Sequence, residues 1–101
     1  MIDLDRIVGF DWDAGSARKS VDKHGISQAA AEQVFMNKPL LLLHDPIHSR
    51  IEPRHHGYGK THGGRLFQVS FTLRNDDTLV RIISARPMSA TERARCGKEE
   101  V

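Results

Sequence analysis

The sequence predicts an α+β domain in which helices pack on one face of an antiparallel β-sheet, in the order β-α-α-β-β-β-β-α. Three observations lead there. Residues 66–73 and 78–86 are two alternating runs joined by Asn75-Asp76-Asp77, the signature of a long hairpin. Residues 14–24 and 27–36 carry apolar side chains at helical spacing and stop at Gly25 and before Pro39. A chain of 101 residues with 39% hydrophobic content has room for one core, so residues 1–101 read as a single domain.

Each element has its own local reason. Val8, Phe10 and Trp12 alternate with Ile7, Gly9 and Asp11, which predicts a first strand with one apolar face and makes Phe10 and Trp12 core residues. Asp13 is placed to cap a helix from about Ala14 to His24, with Ala14, Ala17 and Val21 on one stripe and Gly25 as terminator. Ser27 opens a second helix through about Met36, with Ala30, Ala31, Val34 and Phe35 on its buried side; Pro39 ends it. Leu40 to Leu43 predict a short second strand, Asp45-Pro46 a turn, and Arg54 to Tyr58 a third strand. In the fourth, Phe67, Val69, Phe71 and Leu73 alternate with Leu66, Gln68, Ser70 and Thr72. The fifth runs from Thr78 to Arg86 and stops at Pro87, and this hairpin should lie centrally in the sheet. Ser89-Ala90-Thr91-Glu92 is a capping box that opens a short C-terminal helix.

Charge narrows the partners. Residues 1–45 hold five Lys/Arg against seven Asp/Glu, residues 46–86 seven against three, and the remainder three of each. The positive segment also contains or borders His44, His48, His55, His56 and His62, so a polyanion is the expected partner, with nucleic acid ahead of membrane. The N-terminus has neither a basic region nor an apolar run, and Leu40 to Leu43 is too short to cross a bilayer. Cys96 is the only cysteine, which leaves no intramolecular disulfide and fits a reducing cytoplasm.

Arg81-Ile82-Ile83-Ser84-Ala85-Arg86 is the most informative stretch. It reads as a buried strand that carries two arginines and a serine, and guanidinium groups enter such strands where they are paired or reach an anion. Strict alternation sets Arg81 on one face with Leu79, Ile83 and Ala85, and Ser84 and Arg86 on the other with Val80 and Ile82.

Phe10-Asp11-Trp12-Asp13, Lys23-His24-Gly25-Ile26, Glu52-Pro53-Arg54, the Arg81 to Arg86 strand and Thr91-Glu92-Arg93 together resemble the BrnT toxins in order and spacing. The resemblance covers nearly the whole chain. It implies a fold similar to RelE-type toxins and a ribonuclease toxin of a type II toxin–antitoxin pair that cuts RNA, blocks translation and arrests growth. It further implies neutralisation by a BrnA-type antitoxin, operator DNA being bound only through the antitoxin complex. The chain departs from the family where Pro53 separates Glu52 from Arg54 and where the usual apolar strand reads His55-His56-Gly57-Tyr58.

The chemistry of the residues agrees with such an activity. RNA cleavage without a metal uses the substrate's 2′-hydroxyl as nucleophile, and asks the protein for a base, an acid and cations for the phosphate. His24 and Glu52 are candidate bases, and one histidine of the His55/His56 pair is a candidate acid. Arg54, Arg81 and Arg86 are candidate phosphate forks. Lys23, Ser84 and Arg93, with the histidine pair, are candidate RNA contacts.

Duller roles compete at each position. Glu52 and Arg54 can form an exposed ion pair worth about 0–1 kcal/mol. His24 can simply complement a helix C-terminus, Glu92 can be only the capping partner of Ser89, and Arg93 can be solvated or antitoxin-facing. His44 and His48 are interrupted by Asp45-Pro46 and lack one helical face, so neither a metal nor another cofactor is expected. The alternative to an enzyme is a non-catalytic nucleic-acid or antitoxin-binding module with the same fold. The sequence leaves a homodimer open.

Overall fold

The structure, a computed structural model, describes residues 3–12, 14–47 and 52–99, with the backbone alone for residues 14, 16, 17, 20, 22 and 97–99. After a 3-10 turn at Leu4–Arg6 come β1 (Gly9–Asp11), α1 (Ala14–His24) and α2 (Gln28–Gln33), the last continued by a 3-10 turn at Val34–Met36. Then follow β2 (Leu41–Asp45), β3 (Arg54–Lys60), β4 (Leu66–Arg74), β5 (Leu79–Pro87) and α3 (Ala90–Glu99). The order of elements is the expected one. Asp13 and His48, expected as a cap and a loop histidine, lie outside the described residues.

The sheet is mixed, which corrects the expectation of an antiparallel one. Its strand order is β1-β5-β4-β3-β2, and β1 pairs with β5 in parallel through Gly9–Leu79, Phe10–Val80 and Asp11–Arg81. A parallel neighbour requires a crossover, and everything from α1 to β4 lies between these two strands in sequence. The other pairs are antiparallel, with β4 at the centre as the hairpin pattern predicted.

One face of the sheet carries the core. Phe67, Val69 and Phe71 of β4 and Val80, Ile82 and Ala85 of β5 are buried against Ile26, Ala31 and Val34 of the helical layer. Phe10, Trp12 and Phe35 pack on this cluster as expected, with Phe35 edge-on to Phe71 at 5.0 Å. The Trp12 indole N–H donates to Glu32 Oε2 at 2.9 Å, which ties the end of β1 to α2. Val21, expected on the buried stripe of α1, is half exposed.

The helix ends obey their local signals. Gly25 takes a φ of 65° and its N–H closes on the Val21 carbonyl, while the Ser27 hydroxyl accepts from the Ala30 N–H. Gly59 has a packing reason: a Cβ there would meet Val34 Cγ1 at 3.0 Å and the Val34 carbonyl at 3.3 Å. That close approach lets β3 run on to Lys60, two residues past the expected end at Tyr58. β2 likewise continues to Asp45, expected in a turn.

The helices occupy both faces, a second correction to the expected arrangement. α1 and α2 belong to the core layer, whereas α3 turns back after Pro87 and meets the opposite face through Glu92, whose carboxylate binds Arg86. Among the described residues no helix is long and apolar enough to cross a membrane.

Candidate active site

The face opposite the core is polar, and one irregularity in β5 assembles it. Ser70 of β4 faces Ser84 and Phe71 faces Ile82, so Ile83 is an extra residue with no partner in the ladder. The parity of the strand changes there. Arg81 opposes Thr72, Ser84 opposes Ser70 and Arg86 opposes Gln68, so all three project from one face while Val80, Ile82 and Ala85 share the other. Strict alternation had set Arg81 apart from Ser84 and Arg86; the bulge brings them together.

β2 and β3 complete the face. Ser70 opposes His56, Gln68 opposes Tyr58, and Asp45 opposes Arg54, so Arg54 and His56 of β3 lie between the acidic end of β2 and the polar row of β4. His56 is the hub. Its Nε2 lies 3.0 Å from Asp45 Oδ2, and its Nδ1 lies 2.9 Å from Ser70 Oγ and 2.7 Å from Gln68 Nε2. The Nε2–H tautomer satisfies this arrangement, donating to the carboxylate and accepting from the hydroxyl and the amide. Asp45 is 5% exposed and its Oδ1 accepts the Ile47 N–H at 3.1 Å, so both carboxylate oxygens are held.

Each arginine of the face has an acidic neighbour. Arg81 Nη1 is 3.7 Å from Asp11 Oδ2, a consequence of the parallel β1–β5 pairing. Arg54 is the register partner of Asp45. Arg86 and Glu92 form a bidentate pair at 2.7 and 2.8 Å. Hydrogen bonds from Arg86 pull the Glu92 carboxyl down to about 2, and the same bonds raise the Arg86 pKa. Glu92 is also the capping partner of Ser89, through Ser89 N–H to Oε1 at 2.9 Å and Glu92 N–H to Ser89 Oγ at 3.2 Å. Opposite Arg81, the Thr72 hydroxyl is buried with no hydrogen-bond partner among the described residues.

The remaining candidates fall elsewhere. Lys23 and His24 end α1, and no described contact joins either to the polar face. Glu52 is bound to Arg74 at 2.9 Å, at the end of the sheet beyond Arg54. One Arg93 donor goes to the Met88 carbonyl at 3.0 Å, at the junction of β5 and α3. His55 points to the core side, where its ring stacks on Phe71 at 5.5 Å and meets His44 at 5.7 Å. It lines a cavity of about 660 Å³ with Leu40, Leu42, Leu73 and Asp77, away from the arginines. Among the described residues no three His, Cys, Asp or Glu side chains gather as a metal site.

Burial, followed by His44, lowers the pKa of His55 below its ordinary 6.5. The unfolded chain therefore takes up a proton that the folded one resists, and this residue costs stability as pH falls below about 6.5. His55→Phe should flatten the loss of stability between pH 7.5 and 5.5, measured by urea unfolding at both values. An unchanged pH difference would place its origin in another group.

Asp11, Asp45, Gln68 and Ser70 were not among the candidates from sequence, and their place on the face becomes visible once strand pairing is known. Glu92 was weighed there and read first as the capping partner of Ser89; its grip on Arg86 is the part that local sequence did not show.

Comparison with known proteins bears on this arrangement. The family model for "Ribonuclease toxin, BrnT, of type II toxin-antitoxin system" matches residues 12–92. The crystal structure of the Brucella abortus ribonuclease toxin BrnT has a similar fold, with a TM-score of 0.59 at 19% identity, over 81% of this chain and 97% of that one. No curated protein matches the chain. The family match begins just after β1 and takes in α1, α2, strands β2 to β5 and the start of α3, and so every residue of the polar face except Asp11: the chain belongs to the BrnT family of ribonuclease toxins of type II toxin–antitoxin systems.

Proposed function

We propose that this chain is a metal-independent endoribonuclease, one domain with one site, which cleaves RNA through the substrate's own 2′-hydroxyl and so inhibits translation and growth. The observation that carries this reading is the bulge at Ile83, which sets Arg81, Ser84 and Arg86 on the face that holds His56 and Arg54. Guanidinium forks bind phosphate oxygens in pairs, and three of them around one imidazole suit a phosphodiester whose charge grows in the transition state. His56, oriented by Asp45, is the proton-transfer group of the face; Arg54, Arg81 and Arg86 hold the phosphate, with Ser84 between the last two.

Of the two bases weighed from sequence, Glu52 stays near the face at its Arg74 end, whereas His24 has no described link to it. Lys23 and Arg93 are left as outlying RNA contacts. A BrnA-type antitoxin would neutralise the toxin by covering the arginine face, and operator DNA would be reached through that complex.

The test is incubation of the purified chain with mixed-sequence single-stranded RNA in excess EDTA, followed by end-group analysis. Cleavage that leaves 2′,3′-cyclic phosphate or 3′-phosphate ends is the expected result. Folded protein that binds RNA and leaves it intact would put the non-catalytic binding module in its place.

A further inference from the structure

We propose that Glu92 is a positioning residue for RNA cleavage: its carboxylate clamps the end of the Arg86 guanidinium and leaves the side edge of that group, Nε–H and the second Nη2–H, aimed at the substrate phosphate. The inference rests on the ribonuclease reading above and adds to it a role for the first turn of α3.

The geometry divides the Arg86 donors into two sets. Nη1 gives one hydrogen to Glu92 Oε1 at 2.7 Å and one to the Pro87 carbonyl at 3.1 Å, and Nη2 gives one to Glu92 Oε2 at 2.8 Å. A guanidinium has five N–H groups in one plane, and the pair left over lies along a single edge. No described hydrogen bond uses that edge. Two parallel N–H groups at such spacing match two oxygens of a phosphate as well as they match a carboxylate.

The clamp is itself held in place. Glu92 Oε1 accepts the Ser89 N–H at 2.9 Å and the Glu92 N–H donates to the Ser89 hydroxyl oxygen at 3.2 Å, so the carboxylate is fixed by the cap of a helix. The helix is anchored in turn through Met88, which is buried at the junction with β5. A capping glutamate needs one oxygen for its cap, and here the second oxygen completes the grip on Arg86. An arginine fixed in this way loses little freedom when the phosphate arrives, so more of its binding energy serves the transition state. A plug would work differently: substrate would have to evict Glu92. The open side edge makes eviction unnecessary.

Glu92→Gln is the discriminating variant, because glutamine also serves the capping box but brings no charge and only one acceptor. In steady-state cleavage of a single-stranded RNA, kcat should fall ~10- to 100-fold with KM within a few-fold, the cost of a misplaced fork. In ¹⁵N-labelled protein, the Arg86 Nη hydrogens should be resolved in the parent chain and average together in the variant as the fork rotates freely. Ser89→Ala is the companion: it removes the hydroxyl that accepts the Glu92 N–H and lowers Tm, but it keeps the backbone N–H that holds Glu92 Oε1, so kcat should be kept.

Unchanged kcat in Glu92→Gln overturns the proposal, and so does a higher kcat with a lower KM, which would mark Glu92 as a plug. An equal loss of kcat in Ser89→Ala also overturns it, because the effect would then belong to the helix. If the parent chain cleaves no RNA, the ribonuclease reading falls and this role with it; if the parent cleaves and Glu92→Gln matches it, only the positioning role falls.

Discussion

Arg86→Ala should lower kcat for RNA cleavage by about 10²- to 10³-fold, the usual loss when one preorganised donor is removed from developing charge. RNA affinity changes far less, because Arg54 and Arg81 remain on the same face and continue to attract the backbone. Arg86→Lys does not restore the rate, since an ammonium is a point charge that lacks the planar pair of donors. The variant also loses stability, because the mostly buried Glu92 carboxylate is left with only its Ser89 bonds, so kinetics are compared on protein shown to be folded. Steady-state kinetics with circular dichroism as a folding control make the measurement. Equal losses in kcat and affinity would demote Arg86 to a binding residue.

The same residue shows why the site was only partly legible. The sequence marked Arg81, Ser84 and Arg86 as unusual in a buried strand, and all three project from the polar face, where Arg81 and Arg86 meet Asp11 and Glu92. It could not say that they share that surface. Ile83 is an ordinary strand residue with no glycine or proline beside it, so nothing local announces a bulge, and alternation without one separates Arg81 from the others. His56 was legible only as part of the run His55-His56-Gly57-Tyr58, which departs from the apolar strand expected there from the resemblance. Its three partners sit on β2 and β4, and only pairing across both neighbours brings Asp45, Gln68 and Ser70 to it.

The fold divides along the same line. Gly25, Ser27, the β4–β5 hairpin and the Ser89–Glu92 cap follow from interactions within a few residues, and each element begins or ends where those residues direct. The parallel β1–β5 pairing does not. β1 has three residues, and its neighbour in the sheet lies about seventy positions away in sequence, beyond the reach of periodicity. Asp45 was assigned to a turn because Asp-Pro ordinarily makes one, yet it is the last residue of β2 and is buried. A carboxylate tolerates that position because His56 on the adjacent strand and the Ile47 N–H receive it.

Phe71→Ala should bring the chain to the margin of folding. Phe71 is fully buried at the centre of β4, edge-on to Phe35 at 5.0 Å and stacked with His55 at 5.5 Å. Removal of a buried phenylalanine ring costs about 3–5 kcal/mol, transfer and cavity together. A small domain has a total stability of only about 5–15 kcal/mol, so Tm should drop by on the order of 15 °C or more. Phe71 stands directly opposite Ile82, the residue before the bulge, so its ring also backs the point where β5 changes parity. A void there frees β5 to slip by one residue and return to regular alternation, which would turn Ser84 and Arg86 toward the core. Phe71→Leu, which keeps most of the volume, should cost much less stability and preserve cleavage. Thermal unfolding of both variants, with RNA cleavage measured below their transitions, separates the two effects. A folded Phe71→Ala chain with full activity would mean that β4 and the ladder beyond it fix the bulge without the ring.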